Sequence, residues 1–493
     1  MFAVVPHRCR FDRIPLTACA VILLSLAPIH GAYALDLGNL TLAQTMKISI
    51  AQNLYIEAES HTLASLRASV LYEQGKFDPS LKFTLSHSTS GYESPSSLEP
   101  TNEERFQGDM SLELYSPYGS TYEFRLGTEW VTSDLAFILD EPYYESEVSF
   151  ILTRPLLKGY GEDIPTTGIR VAKNSLEMSQ HQYDETVFSA VESAIEAYWE
   201  LYFARADLDV AKKSLELAQN LLKEVQYRIR VGKLAALEIF KAEAEVAKRQ
   251  ESLIRARKTV SDTEDMLREV MNLTDWDKEI VPFDVPPDPV RPMDLEMALQ
   301  LGFEKRPDYK RALLENENKV ELRKFYDNQR RSQLDLFASV SSNAVDDQIK
   351  DVPWTALPLD TSSWSAGVNY SKPLGGREAE GQYIRALSEE SRAQVLIEVM
   401  AQKVRLQIRE ALRNVNVAIE SVDATAVTRL AADKRLQAEE EKFRVGKATL
   451  NDVLEFQAEF ASALSAEKRS WADYAIALAK LGKQTGTLLD NIK

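Results

Sequence analysis

The sequence predicts a mainly α-helical fold with a smaller β-sheet part, arranged as two similar halves that each contain a long helical hairpin. Three observations predict this class. Apolar residues recur at the spacing of a helical stripe through two very long segments, other segments alternate apolar and polar residues as strands do, and this order of elements occurs twice in the 493 residues.

The duplication is clearest at a short sequence, Arg-Val-Gly-Lys, which occupies 230–233 and recurs at 444–447. The offset is 214 residues, and following it backwards pairs apolar positions that alternate spacings of four and three. These positions are Ala190, Ala194, Ala197, Leu201, Ala204 and Leu208 in the first half and Val404, Ile408, Ala411, Val415, Ala418 and Val422 in the second. Such a stripe, sustained over many turns, predicts helices packed side by side.

A second offset, of 253 residues, aligns the segments before these helices and places Asn53 opposite Arg306. The two offsets differ by 39, so the first half has 39 additional residues between Leu85 and Ala172. Alternating runs lie on both sides of a Ser-Pro-Tyr-Gly turn at 116–119 in this region. The additional residues either lengthen one hairpin or add two strands, and the sequence is compatible with both.

The repeat divides the chain into four segments, with five prolines marking the linker between the halves because neither helices nor central strands tolerate proline. The predicted segments are a signal peptide over 1–34, a first repeat over 35–280, a proline-rich linker over 281–293 and a second repeat over 294–493. Each repeat is predicted to contain an opening helix at about 42–75 or 295–331, strands at about 82–153 or 334–371, and a long helical hairpin at about 166–272 or 377–485.

The N-terminal segment has the parts of a secretory signal. Three arginines precede a short apolar stretch, and Ala32-Tyr33-Ala34 fits a cleavage site. Both cysteines, Cys9 and Cys19, fall in this segment, so the mature protein is predicted to contain no disulfide. Lipidation at Cys19 stays an open alternative.

The charge balance excludes one class of function. The chain has a net charge of −17, and loss of the leader, which holds three arginines and Asp12, brings it to −19. A protein this acidic lacks the basic surface that neutralises nucleic-acid phosphates. An enzyme is not predicted, because the mature chain holds only His61, His87 and His181 and has neither metal-ligand spacing nor a nucleophile motif, and no cofactor is expected.

The alternating segments place apolar and aromatic residues on one face of the predicted strands and Ser, Thr, Glu and Asn on the other. The aromatic residues assigned to the apolar face are Tyr115, Tyr122, Phe124, Trp130, Phe150, Trp364 and Tyr370. This alternation fits a sheet with lipid on one side and water on the other, and equally a half-buried soluble sheet.

A membrane crossing would require pooled strands. After residue 34 no run of 18 apolar residues occurs, so a chain that crosses a membrane is expected to do so as a closed β-barrel. Four to six strands per chain are too few for a barrel of about eight or more. Several copies are therefore expected to share one barrel, with their long helices continuing below it as a tube.

Several short motifs, by their order, spacing and duplication, resemble the outer-membrane efflux protein family, called TolC-like, over nearly the whole mature chain. They are Thr41-Leu42, Arg154-Pro155-Leu156-Leu157, Arg306-Pro307-Asp308, Lys372-Pro373-Leu374-Gly375-Gly376 and the two Arg-Val-Gly-Lys sequences. The resemblance implies a homotrimer in outer-membrane lipid, with a 12-stranded barrel and a helical tunnel across the periplasm. It also implies a passive exit channel that serves a periplasmic adaptor protein and an inner-membrane pump, in a tripartite efflux or type I secretion system.

The same resemblance assigns roles to residues at the hairpin turns. Those implied to contact the adaptor are Val231, Gly232, Lys233, Val445, Gly446 and Lys447. Asp452 and Glu455, which share one helix face, and the first-half counterpart Glu238 are implied to form carboxylate rings that narrow the pore. Rings of like charge would attract cations and repel anions.

Two positions depart from the family pattern. Ala448 stands where the family has a gate-locking arginine, and Phe443 stands where it has a tyrosine. The links of the family's closed state therefore do not transfer residue by residue. We hypothesise that an ion pair between Glu238 and Lys447 replaces them.

Two other functions fit parts of the pattern. A non-conducting structural coiled-coil surface protein would account for the heptads and has no use for the strands. A periplasmic adaptor would have one helical hairpin flanked by lipoyl-like β segments, and the duplication argues against it. The exported substrate and the class of pump are not determined by the sequence.

Overall fold

The computed structural model describes residues 37–91, 93, 101–133, 142–346 and 361–490 of the chain. The predicted signal peptide over 1–34, with Cys9 and Cys19, lies outside these residues. The helices are α1 Leu42–Gln52, α2 Leu54–Gln74, α3 Thr167–Arg230, α4 Glu238–Met271, α5 Leu295–Lys305, α6 Pro307–Gln329, α7 Arg377–Arg444 and α8 Leu450–Thr485. The strands are β1 Ser80–Gly91, β2 Asn102–Tyr115, β3 Thr121–Ser133, β4 Tyr143–Pro155, β5 Gln333–Asp346 and β6 Ser362–Ser371.

The two long helices agree with the predicted hairpins. α3 has 64 residues and α7 has 68, which corresponds to a length of about 100 Å for each. Ten of the twelve predicted stripe positions are buried, and the other two, Ala197 and Leu208, pack at the margin of a core cluster. Burial of this stripe, more than local propensity, stabilises helices of such length.

Each predicted opening helix is in fact two helices. The chain breaks at Asn53, whose side chain accepts hydrogen bonds from the N–H groups of Tyr55 and Ile56 and so starts α2. The second half breaks at the equivalent Arg306, where Pro307 occupies the first turn of α6. Capping and proline chemistry at these two positions outweigh the continuous apolar pattern.

The helices form a layer four helices wide at two levels. Near the sheet, neighbouring helices follow the order α2, α3, α6, α7, and at the far end the order is α4, α3, α8, α7. Ion pairs such as Arg170 with Glu321, between α3 and α6, and Lys483 with Glu192, between α8 and α3, join the neighbours. Only the long helices α3 and α7 belong to both levels.

Buried Arg306 and Asp308 explain the Arg-Pro-Asp motif at the start of α6. The guanidinium donates from Nε to Asp308 Oδ1 at 2.9 Å and from Nη2 to Asp308 Oδ2 at 2.7 Å. Its remaining hydrogens reach the side-chain oxygens of Gln407 on α7 and Gln484 on α8, both at 2.7 Å. Burial opposes ionisation of Asp308, but the Arg306 hydrogen bonds and charge outweigh it and lower the pKa of that carboxyl.

The proline-rich linker is held on the helices by two buried tyrosines. The Tyr198 hydroxyl donates to Leu40 O at 3.0 Å and accepts from the Asp284 N–H at 3.0 Å. The Tyr474 hydroxyl accepts from the Val290 N–H at 2.8 Å. Prolines remove backbone donors from the linker, and these two phenols accept hydrogen bonds from the Asp284 and Val290 N–H groups.

The six strands form one antiparallel sheet in the order β1-β2-β3-β4-β5-β6. This resolves the question of the 39 additional residues. By the 253-residue offset β1 corresponds to β5. By the Arg-Pro-Leu sequence at the end of β4 and the Lys-Pro-Leu sequence directly after β6, these two strands correspond as well. The hairpin β2–β3 is therefore added to the first half, and the described residues form six strands where the resemblance implied four per chain.

No helix among the described residues combines the length and the apolarity that a membrane-spanning helix needs.

Candidate functional site: the hairpin tips and the two-faced sheet

The two helical hairpins end in turns of the same geometry. Gly232 and Gly446 follow the long helices with φ of 73° and 78°, a left-handed conformation that favours glycine. Lys233 N–H donates to Arg228 O at 2.8 Å, and Lys447 N–H donates to Lys442 O at 2.7 Å. This is the Schellman ending of a helix. Open space surrounds both glycines, so conformation and not crowding selects glycine here.

The six residues implied to contact an adaptor are all exposed at these turns. The side chains of Val231 and Val445 are 46% and 64% exposed. Exposed valines at the end of a helical column, each followed by glycine and lysine, present a small apolar spot beside a positive charge. The structure therefore places the six residues on an accessible surface.

An apolar cluster holds the two tips together within the chain. Leu221, Val225, Ala242, Phe443, Leu450 and Val453 are its buried members, and Leu234 and Ala448 pack against it from the two turns. Phe443 is only 4% exposed. A hydroxyl at this position would lie in an apolar cluster, and the phenylalanine avoids that cost.

Arg228 links the tips and was not singled out from the sequence. Its Nη1 donates to Phe443 O at 2.7 Å and its Nη2 donates to Arg444 O at 3.0 Å, at the end of α7. The guanidinium carbon also lies 4.4 Å from the centre of the Phe443 ring. An arginine of one hairpin thus caps the long helix of the other, where the helix dipole favours a cation.

The three carboxylates implied to narrow the pore lie just beyond the turns, in the first two turns of α4 and α8. Asp452 is held in a capping box, where its Oδ2 accepts from Thr449 N at 2.8 Å and from Thr449 Oγ1 at 2.7 Å. These bonds lower the pKa of Asp452 and keep it charged. Glu455 is exposed and Glu238 is half-buried.

The hypothesised ion pair between Glu238 and Lys447 is not formed within the chain. Glu238 instead accepts a hydrogen bond from Lys241 on its own helix at 3.0 Å. A partner three residues away on the same helix is available without ordering a turn, so it competes better for the carboxylate. Among the described residues, Arg228 supplies the hydrogen bonds that join the two hairpins at this end, in addition to the apolar cluster.

The sheet has one apolar face that is continuous across all six strands. Residues directly opposite each other form a row, which is Leu81, Leu112, Phe124, Phe150, Val340 and Trp364 from β1 to β6. Every residue of this row is exposed, from 39% at Phe124 to 80% at Trp364. An apolar surface this extended marks contact with lipid or with another protein.

The opposite face of the sheet is polar and contains ion pairs. Arg105 pairs with Glu129 at 2.9 Å, and Arg125 pairs with Asp109 at 2.9 Å, across β2 and β3. The assignment of Tyr115 to the apolar face was wrong. Register places it on the polar side, where its ring stacks on Phe77 at 5.6 Å. The six other predicted aromatics share the apolar face.

A metal site is not formed by any group of three or more His, Cys, Asp or Glu side chains among the described residues.

A family model described as outer membrane efflux protein matches residues 166–273, which cover α3, the first turn and α4. No curated protein matches the sequence. Among solved structures, the CmeC outer membrane channel of Campylobacter jejuni matches with a TM-score of 0.65 at 14% identity over 92% of this chain and 87% of that one. VceC, an outer membrane protein of Vibrio cholerae, matches with 0.63 at 12% over 90% and 96%. The open MtrE outer membrane channel of Neisseria gonorrhoeae matches with 0.62 at 14% over 91% and 89%.

These matches confirm the mainly helical fold with a strand sheet and the predicted resemblance. The matching family model is described as one of outer membrane proteins, and the CmeC and MtrE structures are described as outer membrane channels. Residues 166–273 thus match the outer membrane efflux protein family, and the chain has the fold of the outer membrane channels to which it is similar.

Proposed function

We propose that this chain is one subunit of a passive exit channel, in which three copies pool their sheets into an outer-membrane barrel and their helices into a periplasmic tunnel. An inner-membrane pump would drive export through a periplasmic adaptor, in a tripartite efflux or type I secretion system. The observation that carries the proposal is the sheet, which combines an exposed apolar face, an ion-paired polar face and two open edges.

The open edges are the main argument for several copies. In the described chain the sheet ends at β1 and β6, and both strands are exposed along nearly their whole length. An unpaired edge leaves a row of N–H and C=O groups, and each costs several kcal/mol in lipid. Because the number of strands is even, β6 of one copy runs antiparallel to β1 of the next, and the sheet can close without a change of pattern.

The two faces then have distinct surroundings. The apolar row from Leu81 to Trp364 would contact lipid, and the polar face with its ion pairs would line a water-filled pore. The structural alternative, a non-conducting coiled-coil surface protein, leaves this apolar face exposed to water. Because apolar surface exposed to water is unfavourable in proportion to its area, the channel is the better account of this face.

The tips are proposed to have two roles. Val231, Gly232, Lys233, Val445, Gly446 and Lys447 would contact the adaptor, because they are exposed at the end of the column. Asp452, Glu455 and Glu238 would form the charged constriction, because three copies bring like carboxylates around one opening. The Thr449 hydrogen bonds lower the pKa of Asp452 and so favour the charged form that the constriction needs.

The test is conductance in planar lipid bilayers. We expect discrete channels from the purified chain, with cation preference that falls when Asp452→Asn and Glu455→Gln are combined. Asp275→Asn, an exposed aspartate in the loop after α4, is the matched control and should leave selectivity unchanged. Absence of any channel from protein that has been shown to insert would refute the channel and favour the structural alternative.

A further inference from the structure

The added hairpin β2–β3 lies within the wall of the sheet and not outside it. It pairs with β1 over 12 residues and with β4 over 11, and the two added strands pair with each other over 13. Its apolar residues Leu112 and Phe124 continue the exposed row, and its ion pairs lie on the polar face. A hairpin outside the membrane would need neither the continued apolar row nor the ion-paired polar face.

The hairpin also has a defined place in the layer. The helices near the sheet follow the order α2, α3, α6, α7, and each is joined in the chain to one strand, β1, β4, β5 and β6 respectively. The strands occur in the same order as their helices. The pair β2–β3 is inserted between the strands of α2 and α3, and it alone has no helix below it.

The insertion changes the width of wall that one copy supplies. Six strands at a spacing of about 4.8 Å and a tilt of about 40° cover an arc of about 38 Å, whereas four cover about 25 Å. Four helices at about 9 Å between axes cover about 36 Å. With six strands the sheet of one chain therefore spans about the same width as its four-helix layer.

Resting on the proposed trimeric channel, we propose that β2–β3 expands the outer-membrane pore from 12 strands to 18 and so admits solutes too wide for a 12-stranded exit. Three six-stranded sheets give 18 strands, and the backbone diameter rises from about 24 Å to about 36 Å. Allowing about 5 Å of side chain on each wall, the free width rises from about 14 Å to about 26 Å. The cargo class is then chains or assemblies broader than a single extended polypeptide.

The chain allows a clean deletion. Removing residues 101–141 joins β1 to β4, and β4 runs in the same direction as β2. Phe150 would then take the place of Leu112 opposite Leu81, with the apolar face preserved. Full chain and deletion variant are compared in planar bilayers with neutral polyethylene glycols of graded size as probes of the barrel mouth.

We expect the full chain to admit polymers up to about 26 Å across and the deletion variant to exclude those above about 14 Å. Equal size limits for the two, or a limit of about 14 Å for the full chain alone, would overturn the inference while leaving the proposed channel intact. Failure of both proteins to conduct after confirmed insertion would instead refute the proposed function, and the inference with it.

A second pair of variants tests whether the hairpin is in the wall, should the deletion fail to assemble. Met110→Arg places a charge on the apolar face of β2, and Gln107→Arg places the same charge on the polar face opposite Glu129. We expect Met110→Arg to lower the membrane-assembled fraction about 30-fold or more and Gln107→Arg to be tolerated. Equal tolerance of the two would place β2 outside the membrane and overturn the inference.

Discussion

Replacing Arg228 with alanine should loosen the contact between the two hairpin tips. The side chain is only 12% exposed, and the change removes two hydrogen bonds to the last carbonyls of α7 together with the contact to the Phe443 ring. A hydrogen bond to a charged group contributes about 1.5–3 kcal/mol, and the helix dipole adds about 0.3–1 kcal/mol. Because the contributions share one side chain and are not additive, we expect a net loss of about 2–4 kcal/mol.

Amide hydrogen exchange measures this loss directly. The N–H groups of Val445, Gly446 and Lys447 bond to carbonyls in the last turn of α7, so they report opening of that turn. A loss of about 2–4 kcal/mol predicts exchange about 30-fold to 1000-fold faster at these three amides, provided that closing remains faster than exchange. The matched control is Arg230→Ala, because Arg230 is an exposed arginine in the same turn of α3. Equal exchange in the two variants would refute the cross-hairpin link.

Three further changes have defined outcomes. Asp308→Ala leaves Arg306 buried without its carboxylate and should lower the free energy of unfolding by about 3–5 kcal/mol in urea titrations. In the unsubstituted protein the pKa of Asp308 is lowered by folding. The stability that its charge contributes is therefore fully present above the pKa of the unfolded chain and is lost as the pH falls through the pKa of the folded protein. Urea titrations at pH 3–7, compared with those of Asp308→Asn, would show this loss. Gly446→Ala forces a φ of 78° on an L residue and should cost about 1–2 kcal/mol, measured by urea titration, whereas Gly381→Ala, at a right-handed position within α7, should not destabilise. Val231→Asp with Val445→Asp should leave trimer yield unchanged and abolish co-purification with the periplasmic adaptor of the producing cell, and retention of the adaptor would contradict the proposed contact.

The parts of the fold that depend on periodicity were predictable from the sequence. The apolar stripe through α3 and α7 needs only a repeat of about 3.5 residues to be seen, and its burial follows from that period. The turns were predictable because glycine at 232 and 446 is required by a left-handed conformation. The breaks at Asn53 and Arg306 were missed, although an Asn cap and a proline at 307 were the available signals.

The parts that depend on long-range partners were not predictable. Arg228 is one of several arginines near the first turn, and its role depends on the end of a helix 215 residues away. Glu238 was hypothesised to pair with Lys447 in place of the family's closed-state links, whereas the structure gives it Lys241 on its own helix. Tyr115 is different, because it directly follows Leu114 of the apolar face, and strict alternation along β2 would have placed it on the polar face.

The structure was also needed to decide whether the 39 additional residues add two strands or lengthen one hairpin. Alternation predicted strands around the turn at 116–119, but a hairpin that extends past the sheet would alternate in the same way. Pairing of β2 with β1 and of β3 with β4 distinguishes the two, because a protruding hairpin would leave β1 beside β4.

Cross-linking of the sheet edges tests the shared barrel most directly. Within one chain β1 and β6 are separated by five strand spacings, about 24 Å, which no disulfide can bridge. We would place one cysteine on β1 at Thr84 and a second on β6 at Ser363, Ser365 or Asn369, all on the polar face. Oxidation should give covalent dimers and trimers at one of these registers. If every register yields only monomer in protein extracted from outer membranes, copies do not join edge to edge and the shared pore is wrong.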